Sequence, residues 1–169
     1  MTMENSIEAL AVRLGEVLSA HGASLATAES CTGGWVAQAV TSVAGSSAWF
    51  DRGFVTYSNA AKQDMLDVSD LTLARHGAVS EATARAMALG AVAHSRADWA
   101  VAITGVAGPG GGTPEKPVGQ VCFAWAGREA GCEAQVCRFD GDRESVREQS
   151  VRQALRGLIE RIEAAYLVA

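Results

Sequence analysis

The sequence predicts a single α/β domain, a three-layer α/β/α sandwich built on a mixed sheet. Three observations carry this reading. Short β-type runs alternate with helical patterns over the first hundred residues, which is how strands with covering helices read. Two successive β-type runs, Val118–Ala126 and Glu133–Phe139, join through Gly127–Gly131 and add an antiparallel pair. The 169 residues are 49% hydrophobic and 20% charged without an internal repeat or linker, so one domain over 1–169 is expected to bury its own core.

The elements follow in order. Ile7, Leu10, Ala11, Leu14, Val17 and Leu18 recur at helical spacing within 4–21, and Gly22 suits the left-handed position that ends a helix. Ser24–Ala28 reads as a short strand, and Ser30–Gly34 as a turn into a helix from Trp35 to about Val43. Ala44–Ser47 breaks that helix. Gly53–Tyr57 is a β-type run, and Ser58 or Asn59 caps a helix over Ala60–Leu66. Thr72–His76 reads as one helical turn ending at Gly77. Ser80 caps an alanine-rich helix from Glu81 to about His94, whose small residues suit close packing between subunits of a homo-oligomer, a dimer being expected. Trp99–Ile103 is a buried strand, and the Gly- and Pro-rich loop Val106–Pro117 follows it. Asp142 caps a long final helix with the stripe Val146, Val151, Ala154, Leu155, Leu158, Ile159 and Ile162.

Composition narrows the function. A net charge of −5 leaves no broad basic face for a phosphate backbone, so no nucleic-acid partner is expected. No apolar run reaches membrane-spanning length and Met1–Ser6 lacks a signal-peptide pattern, so the expected site of action is the cytoplasm, with no membrane partner. Cys31, Cys122, Cys132 and Cys137 include no C-x-x-C pair and read as reduced thiols, although Cys122 and Cys132 could face each other across the hairpin. His21, His76 and His94 do not pair with them at zinc spacing, so no metal is expected.

The chemistry-bearing residues cluster where strands end and helices begin, the usual place for ligands in α/β proteins. Gly45-Ser46-Ser47 can expose a hydroxyl beside several backbone N–H groups, as a serine nucleophile and its oxyanion site require. On local sequence alone a helix-ending turn with capping serines explains it better. Lys62, if buried near a helix N-terminus, would lose its proton readily enough to act as a base, with Tyr57 to orient it; an exposed lysine and a sheet-face tyrosine are the ordinary alternatives. Glu29-Ser30-Cys31-Thr32-Gly33-Gly34 suits an anion at a helix N-terminus or, equally, tight strand–helix packing. It matches neither G-x-G-x-x-G nor a P-loop, so no nucleotide cofactor is expected. Thr104-Gly105 and the loop after it stand where a segment closing over substrate belongs. Arg143, opening the last helix, is either a phosphate clamp or a solvated charge paired with Asp142 or Glu144.

Taken together, AESCTGG (28–34), AGSSAWFDRGF (44–54), VTYSN (55–59), HGAVSE (76–81), ITGVAGP (103–109), KPVG (116–119) and GDR (141–143) resemble the CinA C-terminal domain family, in the family's order and over nearly the whole chain. Its stand-alone members are nicotinamide-nucleotide amidohydrolases. The resemblance implies a cytoplasmic, cofactor-free enzyme that hydrolyses the carboxamide of nicotinamide mononucleotide in pyridine nucleotide recycling. It implies Ser47 as nucleophile, Lys62 as base and Tyr57 as its assistant, with Ser30, Gly45, Ser46, Thr104, Gly105 and Arg143 binding substrate. Two other readings remain: a non-catalytic nucleotide-binding or protein-interaction module linked to competence or DNA repair, and an amidase for another small amide.

Overall fold

Fourteen residues of amphipathic helix open the fold because Ser6 is a good cap: its Oγ accepts the Ala9 amide at 3.1 Å, starting α1 at Ile7–Ala20 rather than at residue 4. The computed structural model describes residues 2–167. The remaining elements are β1 (Leu25–Glu29), α2 (Trp35–Thr41), β2 (Phe50–Val55), α3 (Asn59–Leu66), α4 (Asp70–His76), α5 (Glu81–Ala93), β3 (Trp99–Gly105), β4 (Gln120–Gly127), β5 (Gly131–Arg138) and α6 (Arg143–Leu167). Short 3-10 turns lie at Met3–Asn5 and Ser46–Ala48.

The expected α/β sandwich is present, with two adjustments. Residues 72–76 belong to a full helix, α4, because the Ser69 hydroxyl caps it by accepting the Thr72 amide at 3.1 Å. Strand β2 begins at Phe50, three residues before Gly53, because Phe50 and Arg52 pair with Leu25 and Ala26 across an irregular register.

The sheet runs β2-β1-β3-β4-β5. Strand β1 is parallel to β2 and β3, while β4 and β5 complete the sheet antiparallel. The chain leaves β1 for one side and later returns to its other side, so the carboxyl ends of β1 and β3 form a topological switch point, where crevices open in such sheets. Alternation along the strands separates two cores. Leu25, Val101, Ile103, Val121, Phe123 and Trp125 face α1, α2 and α6. Ala26, Ala28, Ala100, Ala102, Ala124 and Ala126 face α3, α4 and α5. An alanine-lined face lets a helix lie close, and Ala84, Met87, Ala88 and Ala91 of α5 fill that space. The small residues of α5 are therefore used inside one chain, which removes the ground for expecting them between subunits.

Across the hairpin, Cys122 pairs with Val136 and Cys132 with Ala126, so these two thiols do not face each other, and all four cysteines are free. No helix among the described residues is long and apolar enough to cross a membrane, and no group of His, Cys, Asp and Glu among them has the makings of a metal site.

Candidate active site

Strand β1 delivers Ser30 to the carboxyl edge of the sheet, where the Ser30 amide still donates to the Ile103 carbonyl at 2.9 Å. Strand β2 ends beside it and turns through Thr56 and Tyr57 into α3, capped by Ser58. One turn into α3, Lys62 points back over the strand ends. Its Nζ lies 2.9 Å from Ser30 Oγ and 2.8 Å from the Thr56 carbonyl. The residue is only 1% exposed. Burial pushes its pKa down, against a smaller upward pull from Cys31. A neutral Lys62 has a lone pair for the Ser30 proton and keeps N–H groups for the Thr56 carbonyl. That is the arrangement of a base touching its nucleophile.

Around this pair is a cavity of about 200 Å³, lined among others by Ser30, Cys31, Tyr57, Lys62, Thr104 and Arg143. Larger hollows lie elsewhere on the surface of the described residues, including one of about 440 Å³ at the opposite end of the sheet beside Trp99 and Trp125, which lacks a buried lysine beside a hydroxyl. Cys31 is no rival nucleophile, because burial pushes its thiol up to about 12.

The structure does not bring Gly45, Ser46 and Ser47 to this site. The Trp49 carbonyl, just after the Gly-Ser-Ser turn, accepts from Leu25 at the start of β1, whereas Ser30 follows the end of β1. At about 3.3 Å per residue, β1 carries Ser30 about 17 Å along the sheet from Leu25, beside which the Gly-Ser-Ser turn ends. Ser47 is exposed there, and it is neither among the residues that line the Lys62 pocket nor a hydrogen-bond partner of the amine. Ser30, expected to bind substrate, is the hydroxyl that Lys62 meets.

Tyr57 also departs from expectation. Its hydroxyl accepts from Arg143 Nη2 at 3.1 Å instead of contacting the Lys62 amine, and its ring is largely exposed at the mouth. Arg143 donates its other nitrogen to the Gly108 carbonyl at 2.7 Å, so it pins the glycine-rich loop and is not a charge paired with Asp142 or Glu144. Asp142 is spent on capping α6 through the Ser145 amide at 2.9 Å. The buried Thr104 hydroxyl donates to the Ala78 carbonyl at 2.8 Å and fixes the pocket wall between α4 and α5. Gly105 is forced by packing, since a Cβ there would meet Val121 Cγ2 at 2.8 Å. The Lys116 amine ties the far end of the loop to the His76 carbonyl.

Two residues, Glu29 and Arg147, shape the site in roles that the sequence does not show. The Glu29 carboxylate is fully buried and accepts from Thr32 Oγ1 at 2.6 Å, Val36 N at 2.8 Å and Ala37 N at 3.1 Å. The N-terminus of α2 is filled by the protein's own anion. Gly34, at φ +103°, has no side chain to cap α2, and Glu29 does so from upstream. From α6, Arg147 donates to the Cys31 carbonyl at 3.1 Å and the Thr32 carbonyl at 3.2 Å while lying over Trp35. A buried acid seven and eight residues before its target amides, and an arginine over a hundred residues away, give no local pattern to read.

Fold and site define a class: a three-layer α/β protein with a serine–lysine pair buried at the switch point of its sheet. Residues 7–162 match the CinA C-terminal domain, and the chain belongs to that family. It is 54% identical to the nicotinamide-nucleotide amidohydrolase PncC of Escherichia coli K12, over 92% of this chain and 94% of that protein. The PncC of Pseudomonas putida is 53% identical over 91% of this chain and 96% of its own length. Among solved structures, the competence/damage inducible protein CihA from Agrobacterium tumefaciens superposes with a TM-score of 0.90 at 51% identity, covering 92% of this chain and 94% of that one.

Proposed function

We propose that this chain hydrolyses the carboxamide of nicotinamide mononucleotide to nicotinic acid mononucleotide and ammonia, within pyridine nucleotide recycling, using Ser30 as nucleophile and Lys62 as base. The observation that carries the mechanism is the buried Lys62 amine, 2.9 Å from Ser30 Oγ. The substrate is carried over from the relatives named for that activity, at 54% and 53% identity.

Neutral Lys62 takes the Ser30 proton as Oγ attacks the carboxamide carbon, and the carbonyl oxygen becomes an oxyanion. Collapse breaks the C–N bond, and the Lys62 ammonium protonates the departing nitrogen, which leaves as ammonia. Neutral Lys62 then deprotonates water, which attacks the acyl-serine; the C–Oγ bond breaks and Ser30 recovers its proton. A binding module would have no use for a desolvated lysine held on a serine.

At about 200 Å³ the pocket is smaller than the ~300 Å³ at which cavities for whole drug-sized ligands begin, so it encloses the pyridine ring and its amide. The sugar and phosphate extend past the mouth, where Tyr57 and Arg143 stand. Arg143→Ala is expected to raise KM for the mononucleotide about 10- to 100-fold, in line with a hydrogen bond to a charged group. The deciding assay is ammonia release from the mononucleotide by wild type, Ser30→Ala, Lys62→Met and Ser47→Ala. Loss of about 1,000-fold or more is expected for the first two variants, and near wild-type turnover for Ser47→Ala. Retained turnover in Ser30→Ala would sink the assignment.

A further inference from the structure

The oxyanion formed during attack on the carboxamide needs donors, and the expected ones, on the Gly45-Ser46-Ser47 turn, are at the other end of β1. The turn that carries Ser30 has its own. Its Gly33 amide donates to the Ser30 carbonyl at 3.0 Å and its Trp35 amide to the Thr32 carbonyl at 3.0 Å, while among the described residues the Thr32 amide donates to no protein acceptor. In a trans peptide the C=O and N–H point in opposite directions. Arg147 reaches the Cys31 carbonyl from the α6 layer, so the N–H of the same peptide unit, that of Thr32, is turned away from α6. Lys62 stands on that other side, on α3, whose Leu66 packs in the opposite core.

From this geometry we propose that Arg147 is the positioning residue of the oxyanion site: by gripping the carbonyls of Cys31 and Thr32, it aims the Thr32 amide at the oxygen that turns negative when Ser30 attacks. The inference rests on Ser30 as nucleophile. Arg147 is suited to the task. Its planar fork holds two carbonyls at once, and Trp35 supports its guanidinium at 5.5 Å from the ring centroid. A cation on the carbonyl also polarises the peptide and strengthens its N–H as a donor. From the other end, Glu29 holds the Thr32 hydroxyl and the first amides of α2, so the turn is braced on both sides. A preset donor of this kind acts on the transition state and leaves ground-state binding nearly unchanged.

The test compares wild type, Arg147→Met, Arg147→Lys and Ser30→Ala with nicotinamide mononucleotide, and measures binding of pyridine-3-boronic acid. Boron accepts Ser30 Oγ as the serine proton passes to Lys62, giving a tetrahedral anion that mimics the attacked carboxamide. Arg147→Met is expected to lower kcat about 10- to 100-fold, as misplacement of a catalytic group does, with KM within about threefold and the acid limb of the pH–rate profile unmoved. Boronate affinity should fall by the same factor as kcat, and Arg147→Lys, which can hold one carbonyl, should recover part of both. Wild-type kcat in a folded Arg147→Met protein overturns the proposal; so does a loss of kcat without loss of boronate affinity, or a shifted pH limb. If Arg147→Met does not fold, Arg147→Lys decides alone: unchanged kcat overturns the proposal, and parallel losses in kcat and boronate affinity support it. Turnover by Ser30→Ala would instead overturn the nucleophile assignment, and the two failures are thereby told apart.

Discussion

A lysine with 1% of its surface exposed has lost the hydration that stabilises its charge, and two hydrogen bonds only partly replace it. The lowered pKa has a consequence for stability. Between its folded value and the ordinary value of 10.5, Lys62 is neutral when folded and charged when unfolded, so the unfolded chain binds the extra proton. Stability is therefore full above 10.5, declines as pH falls toward the folded value, and flattens below it. Urea unfolding of wild type and Lys62→Met from neutral pH upward should show wild type gaining on the variant, by about 1.4 kcal/mol for each unit by which the pKa is lowered. Parallel curves would contradict a depressed Lys62. The same lysine explains what was legible at this scale. Its place in TYSN-x-x-K reads as a base once the motifs are assembled, but the hydroxyl beside its amine is that of Ser30 and not that of Ser47. Ser30 and Ser47 both sit in small-residue turns beside glycine, and local sequence does not say which edge of the sheet a turn occupies.

Helix ends read well where the cap is local, as with Ser58, Ser80 and Asp142, whose side chains accept amides three residues on. They read poorly where the cap comes from elsewhere, as Glu29 shows for α2. Close approach between helices is likewise invisible until they pack. A Cβ at Gly90 on α5 would come within 2.1 Å of the Leu66 carbonyl oxygen at the end of α3. Gly90→Ala must push α3 away, and α3 carries Lys62. We expect a loss of about 1–3 kcal/mol in denaturant unfolding together with a fall in kcat, since overpacking is relieved by backbone shifts. Full activity with undiminished stability would show that α3 is not held in place by this contact.

At the scale of the molecule, one end of the sheet carries the Ser30–Lys62 pocket and the packing behind it supplies stability. Arg143 and Arg147 stand at the start of α6, and Leu158 lies about 22 Å further along it at about 1.5 Å per residue, fully buried against the sheet. Leu158→Ala should cost about 2–5 kcal/mol in urea unfolding through the cavity it leaves. Its kcat at a temperature where it remains folded should stay within about twofold of wild type. A large drop in kcat there would mean that the two ends of the domain are coupled.

By itself, the sequence determined the fold class, the element order and the two-sided burial of the central strands, because periodicity and caps are properties of neighbouring residues; the family came from the resemblance of its ordered motifs. It also marked Lys62, Tyr57, Ser30, Thr104 and Arg143, which the structure brings to one pocket. Only the tertiary structure decided which serine the lysine meets, what fills the N-terminus of α2 and how Arg147 holds the Ser30 turn. Those contacts join residues 32 to 116 positions apart, apart from the Glu29 cap seven and eight residues upstream. They depend on strand order and on the edge to which each turn is carried, which no local pattern encodes.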